Sequence, residues 1–156
     1  MANSKVRTCL WFNTEGEDAA RLYTSLLPDS VIEKVYYPDP RGLALVVEFT
    51  LAGVPYMTLN GGPHFSHTPA ASISVLTRDQ AETDRLWSAL TADGGQESRC
   101  GWLVDRYGVS WQITPEILPQ LMASDDKAAA HRAQQAMMKM QKLDIAALEA
   151  AFRGDG

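Results

Sequence analysis

The chain has 156 residues, 46% of them hydrophobic and 21% charged, with a formal net charge of −5. A chain of this size buries about 68–70% of its unfolded surface, so it needs no disulfide or structural metal to hold a core. The acidic balance argues against a nucleic-acid partner, which would call for clustered Lys and Arg. Two cysteines, Cys9 and Cys100, are too few for a disulfide framework. No apolar run approaches the ~20 residues of a membrane span, and the stretch from Met1 to Thr8 lacks the apolar region of a signal peptide. The expectation is a soluble cytoplasmic protein with no membrane or nucleic-acid partner.

Taken in order, Val6–Phe12 is short, apolar and rich in strand formers. A helix follows, with Ala19, Leu22, Tyr23 and Leu26 spaced as one amphipathic face and a stop at Pro28-Asp29. Strands are predicted at Val31–Tyr37, Leu43–Leu51 and, after a turn at Ala52-Gly53, Val54–Asn60. The linker Gly61-Gly62-Pro63-His64-Phe65-Ser66-His67-Thr68-Pro69 is too rich in Gly and Pro for regular structure. The pattern then begins again. Arg21-Leu22-Tyr23-Thr24-Ser25-Leu26 and Arg85-Leu86-Trp87-Ser88-Ala89-Leu90 match at a spacing of 64 residues, which also lays Val6–Phe12 on Ala70–Leu76. Strands at Gln96–Cys100, Gly101–Asp105 and Val109–Thr114 complete the second copy. Chance similarity of two amphipathic helices is the alternative, but three elements agree in one order. Each copy reads strand, helix, three strands, over about 5–61 and 70–115. Residues 116–156 form a helical extension, with Asp125–Met140 rich in Ala, Gln and Met and a short helix at Ile145–Phe152 behind a possible N-cap, Asp144.

A doubled βαβββ unit resembles the glyoxalase, or vicinal oxygen chelate, superfamily. Leu10-Trp11-Phe12-Asn13, Asn60-Gly61-Gly62-Pro63, Cys100–Ile113 and the tail Lys142–Leu148 resemble its PhnB-like family. Its members often carry the label 3-demethylubiquinone 3-methyltransferase. The resemblance implies an α+β fold of two βαβββ modules forming a curved mixed sheet, glyoxalase/bleomycin-resistance-like, plus C-terminal helices. In metal-dependent members of the superfamily, four ligands come from the first and last strands of the two modules. Those positions fall here on Thr8, Met57, Ser72 and Gln112. With no carboxylate or imidazole among them, the set is a poor divalent-metal site, and no metal or cofactor is expected.

On period-2 alternation, Thr8 facing a cavity brings Leu10 and Phe12 with it; Ser72 brings Ser74, and Gln112 brings Ser110 and Thr114. Met57 and Leu59 complete the expected lining. Cys9, Trp11, Ile73, Val75, Tyr56 and Trp111 would then lie under the helices. Glu48, charged in an apolar strand, is either a general base or an edge charge that blocks aggregation. His64 and His67 lie in the Pro-bounded loop with no helix face to align them, which favours a surface loop over a metal pair. Cys100 has no base beside it to activate the thiol, and His131 among alanines reads as a solvated or interface residue. The strand-to-helix turn Asn13-Thr14-Glu15-Gly16-Glu17 has one glycine and two acids, unlike the Gly-rich turns of S-adenosylmethionine sites.

Three functions compete. The first is a metal-independent small-molecule-binding protein lined by Thr8, Phe12, Met57, Leu59, Ser72, Ser74, Ser110 and Gln112. The second is an enzyme with a non-standard site built on Glu48, His64 and His67, and the third is the methyltransferase of the family label. One βαβββ unit forms only half of a curved sheet, so each must pair with another, within the chain or across a dimer; the superfamily resemblance and the Met/Ala-faced C-terminal helix favour a homodimer.

Overall fold

The computed structural model describes residues 3–155. It divides at His67/Thr68 into two compact units. The first carries β1 (Thr8–Phe12), α1 (Gly16–Leu26), β2 (Val31–Tyr36), β3 (Val46–Leu51) and β4 (Val54–Asn60). These strands form one mixed sheet in the order β1-β4-β3-β2, with β1 parallel to β4 and the other pairs antiparallel. The second unit repeats this with β5 (Ser72–Thr77), α2 (Gln80–Thr91), β6 (Gln96–Glu97), β7 (Trp102–Val104) and β8 (Ser110–Pro115), in the order β5-β8-β7-β6. It also contains α3 (Ile117–Met122), α4 (Lys127–Met137) and α5 (Ile145–Arg153). The α+β fold of two βαβββ modules plus C-terminal helices is therefore present, as two four-stranded mixed sheets. No helix among the described residues is long and apolar enough to cross a membrane.

Helices α1 and α2 each pack on one face of their own sheet because each sheet has one apolar face to cover. In the first unit that face holds Leu10, Phe12, Val47, Phe49, Leu51 and the buried Thr58, under Ala19, Ala20 and Tyr23 of α1. In the second it holds Ile73, Val75, Leu103, Trp111 and Ile113, under Leu86, Trp87 and Leu90 of α2. The second-unit strands are shorter than their sequence suggests; β6 has two residues and β7 three. Between them Cys100 and Gly101 turn the chain with φ of 59° and 82°. Leu43 to Leu45 also stay outside β3, although Leu45 N donates to the Tyr36 carbonyl at 2.8 Å. Helix α3 falls inside the predicted helical extension but ahead of Asp125, where the sequence predicts the first helix of that extension.

The helix starts are fixed by different means. Asp79 caps α2 by accepting from Glu82 N at 2.9 Å, and the expected N-cap Asp144 holds α5 through Ala147 N at 3.0 Å. Glu15 gives α1 no side-chain cap. Asn60, at the end of β4, does that work instead, accepting from Gly16 N at 2.8 Å while its amide donates to the Ala44 carbonyl at 2.9 Å. Gly16 has no room for a side chain, because a Cβ there would meet Asn60 Oδ1 at 2.7 Å and Thr58 Oγ1 at 2.8 Å.

The motif segments are also joints. Trp11 lays its indole where a Cβ of Gly61 would be and donates to the Gly62 carbonyl at 2.9 Å. This is why tryptophan and two glycines occur together in a chain that must turn off β4. Asp105, 2% exposed, organises the β7–β8 turn: its carboxylate accepts from Tyr107 N at 2.8 Å, Val109 N at 3.0 Å and Trp111 Nε1 at 2.9 Å. The tail is tied to the second sheet, with Cys100 N donating to the Met140 carbonyl and Gly101 N to the Gln141 carbonyl, both at 2.8 Å. Gln80 of α2 clasps the start of α5, donating to Leu143 O and accepting from Ile145 N.

Candidate functional site

The strand register decides which residues share the helix-free face of each sheet. In the second unit Ser72 pairs with Ser110, Ser74 with Gln112 and Trp102 with Gln112. These residues alternate with the buried Ile73, Val75, Trp111 and Ile113, so Ser72, Ser74, Ser110 and Gln112 lie together on the helix-free face, with Trp102 and Thr114. Gln112 Nε2 donates to Ser72 Oγ at 2.9 Å, which fixes the amide across the two strands.

The first unit requires a correction. Thr8 pairs with Tyr56, Cys9 with Met57 and Trp11 with Leu59. Leu10 and Phe12 are buried under α1, and Thr8 shares their face at the exposed start of the strand. Thr8 and Phe12 therefore do not line the helix-free face; Cys9 and Trp11 do, beside Met57 and Leu59 as placed by β4. The cause is a one-residue difference between the modules. Two residues separate Phe12 from the residue before α1, and one separates Thr77 from Asp79. The helices thus repeat at 64 residues and the first strands at 65. A one-residue slip turns a whole strand over.

The residues in the ligand positions that the superfamily resemblance implies become Cys9, Met57, Ser74 and Gln112: a thiol, a thioether, a hydroxyl and an amide. Partial burial pushes the Cys9 thiol above its ordinary pKa, favouring the protonated form. Hard divalent cations need carboxylates or other charged oxygen donors, and zinc sites need thiolate, imidazole or carboxylate. This donor set does not fit such a metal. Among the described residues no three His, Cys, Asp or Glu side chains cluster closely enough to hold one.

Glu48 lies on the first unit's helix-free face, paired with Met57 on one side and Lys34 on the other. With Tyr36 and Val46 these two line a shallow recess of about 210 Å³. Near this row, Arg7 reaches over the backbone of β4 and β3, donating to the Tyr56 carbonyl at 3.1 Å, and grips Glu33 of β2 with two bonds of 2.8 and 2.9 Å. Both side chains are nearly buried, and Thr50 Oγ1 also donates to Glu33. The Arg7 hydrogen bonds hold the Glu33 carboxyl below its ordinary pKa. The pair leaves no local mark in the sequence, because its partners are 26 residues apart with no motif linking them.

The histidines do not join Glu48. His67 Nε2 donates to the Trp11 carbonyl at 2.6 Å, on edge strand β1, and its ring lies 5.2 Å from that of Phe12. Glu48 is two strands further in, roughly 10 Å across the sheet. His64 is exposed, and Phe65 packs edge-on against Trp11 with ring centres 4.9 Å apart. His131 is exposed on α4.

Two larger recesses flank Trp102 in the second unit. One, of about 350 Å³, is lined by Ser110, Val104 and Arg99 among others. Ser110 is 1% exposed, and its hydroxyl has no hydrogen-bond partner among the described residues. The other, of about 400 Å³, has Ser74, Gln112 and Thr114 on its floor and Leu118, Met122 and Met137 along its side. Both volumes fall within the ~300–1,000 Å³ of small-molecule sites.

Two successive βαβββ modules, each with polar residues on the helix-free face of its sheet, define a member of the glyoxalase, or vicinal oxygen chelate, class. A sequence profile for 3-demethylubiquinone-9 3-methyltransferase matches residues 4–114. The PhnB protein of Bacillus cereus, described by the same activity, is 31% identical; the match covers 72% of this chain and 99% of that one, with a TM-score of 0.66. The chain belongs to this PhnB-like family. Protein PA1353 of Pseudomonas aeruginosa (20% identity, 73% of this chain and 98% of that one, TM-score 0.57) shares the fold. So does the fosfomycin resistance protein FosX of Mesorhizobium loti (13% identity, 80% and 100%, TM-score 0.57). No curated protein matches the chain. Helices α3, α4 and α5 lie beyond the profile-matched residues.

Proposed function

We propose that the chain is a metal-independent small-molecule-binding protein of the glyoxalase/bleomycin-resistance type, its ligand held on helix-free sheet faces. The supporting observation is the neutral row Ser74, Gln112 and Trp102 beside two recesses of ligand size, where the superfamily resemblance implies metal ligands in its metal-dependent members. Ser72, Ser110, Met57 and Leu59 remain in the proposed lining, and Cys9 and Trp11 replace Thr8 and Phe12. The protein works in the cytoplasm as a homodimer under this reading.

The fosfomycin resistance chemistry of FosX is not carried over, since that likeness concerns the fold alone. Methyl transfer, which the family description names, is the competing reading. The first strand-to-helix connection offers Asn13-Thr14-Glu15 rather than a Gly-rich turn, which does not favour it.

The test joins elemental analysis of purified protein to a tryptophan-fluorescence screen of a small-molecule library that includes S-adenosylmethionine. The proposal expects less than 0.1 equivalent of Zn, Ni, Mn or Fe and at least one saturable organic ligand weakened by Ser72→Phe. One equivalent of metal lost on Gln112→Ala would overturn it. So would saturable S-adenosylmethionine binding as the sole response.

A further inference from the structure

Helix α3 begins one residue after β8 ends, and with Met137 of α4 it walls one side of the second unit's helix-free face. The resulting recess has an uncharged lining throughout. Its floor offers an indole, Trp102, beside Gln112, and two hydroxyls, Ser74 and Thr114. The Gln112 amide spends one N–H on Ser72, leaving its carbonyl oxygen to accept from a ligand. The side wall is Leu118, Met122 and Met137, thioethers and an aliphatic chain that adapt to flat apolar surfaces. Leu76, 60% exposed, lies at this recess.

Resting on the binding reading above, we infer that this recess takes an uncharged aromatic molecule bearing a hydroxyl or N–H donor. The ring stacks on Trp102, the donor meets Gln112 Oε1, and the walls of α3 and α4 set the specificity. A charged ligand is disfavoured because the lining holds no counter-charge, and desolvating an unpaired ion is costly. The wall lies outside the profile-matched residues, so this selectivity belongs to the extension rather than to the paired modules.

The test uses the full chain and two probes in titration calorimetry: 2-naphthol, neutral at pH 7, and phenylphosphonate, an anion of similar ring character. The expected result is one 2-naphthol per chain and no saturable heat from phenylphosphonate. Gln112→Leu and Met137→Glu should weaken 2-naphthol at least tenfold, and Ser88→Phe, on the exposed side of α2, should leave it unchanged. Leu76→Lys, at a position exposed enough to preserve the fold, should weaken 2-naphthol and admit phenylphosphonate. Thermal unfolding of each variant separates lost binding from lost structure. Binding of 2-naphthol unchanged in folded Gln112→Leu, Met137→Glu and Leu76→Lys would overturn the assignment to this recess while leaving the general binding reading intact. Saturable phenylphosphonate binding by the unaltered protein would overturn the uncharged class. Silence from both probes would overturn the inference too, and the library screen would then decide the broader reading by itself.

Discussion

Strands β1 and β5 occupy the same place in the two sheets, yet their sequences are built differently. β5 reads Ser-Ile-Ser-Val-Leu-Thr, where Ser72 and Ser74 alternate with the buried Ile73 and Val75. β1 reads Thr-Cys-Leu-Trp-Phe, with large or apolar side chains on both faces. The faces behind them differ as well. The first unit's helix-free side carries Lys34 and Glu48, and the Arg7–Glu33 pair spans its sheet; the second presents Ser, Gln, Thr and Trp. A shared topology therefore holds one face with charged strand residues and one whose strand residues are neutral, and the second has the larger recesses.

The comparison is broken most severely in the second unit by Asp105→Ala. This change leaves Tyr107 N, Val109 N and Trp111 Nε1 without their carboxylate, and about 3–5 kcal/mol of stability should be lost in urea unfolding. In the first unit the counterpart is Arg7→Ala, which leaves the partly buried Glu33 without its cation. A loss of about 2–4 kcal/mol is expected, with Glu33→Gln costing less because a neutral amide replaces the charge.

The same pair gives the first unit a pH signature. The Glu33 pKa is lower folded than unfolded, so its contribution is fully present above the ordinary carboxylate range near pH 4.3. It is lost as pH falls below that range through the depressed folded value. Unfolding curves between pH 6 and pH 2 should show this loss in the native protein and a shallower slope in Arg7→Ala. Equal slopes would remove the bridge from the account.

Gly61→Ala sharpens the contrast at the joint after β4, where the new methyl meets the Trp11 indole. It should cost about 1–3 kcal/mol and shift the tryptophan emission. The smallest effect is Ser110→Ala. Removing a buried hydroxyl that has no partner should leave stability unchanged or raise it by up to about 1 kcal/mol, with ligand affinity falling if the hydroxyl serves the ligand. A loss above 1 kcal/mol would mean that Ser110 is structurally bonded in solution.

Periodicity and the repeated Arg-Leu-aromatic helix made the two βαβββ modules legible, and motif segments placed them in the family. The neutral face of the second unit was legible too, because polar and apolar side chains alternate from Ser72 to Val75 in β5 and from Ser110 to Thr114 in β8. Glu48 could be located on a strand, but its partner Lys34 could not, since cross-strand neighbours depend on register. The Arg7–Glu33 bridge and the cap that Asn60 gives α1 were invisible for the same reason, each joining residues far apart in sequence.

The amino-acid order by itself determined the strands and the covering helix of each module, their sequence along the chain and the faces of any strand with clean alternation, but not α3. Only the tertiary structure decided the face of β1. Its side chains are apolar enough for either orientation, so the choice fell to the parallel pairing of Cys9 with Met57 and to the burial of Leu10 and Phe12 under α1. The tertiary structure likewise turned the C-terminal helices into a wall beside Gln112. A weakly apolar helix carries no local signal for the sheet it will lie against; long-range backbone bonds such as those from Cys100 and Gly101 to Met140 and Gln141 supply it.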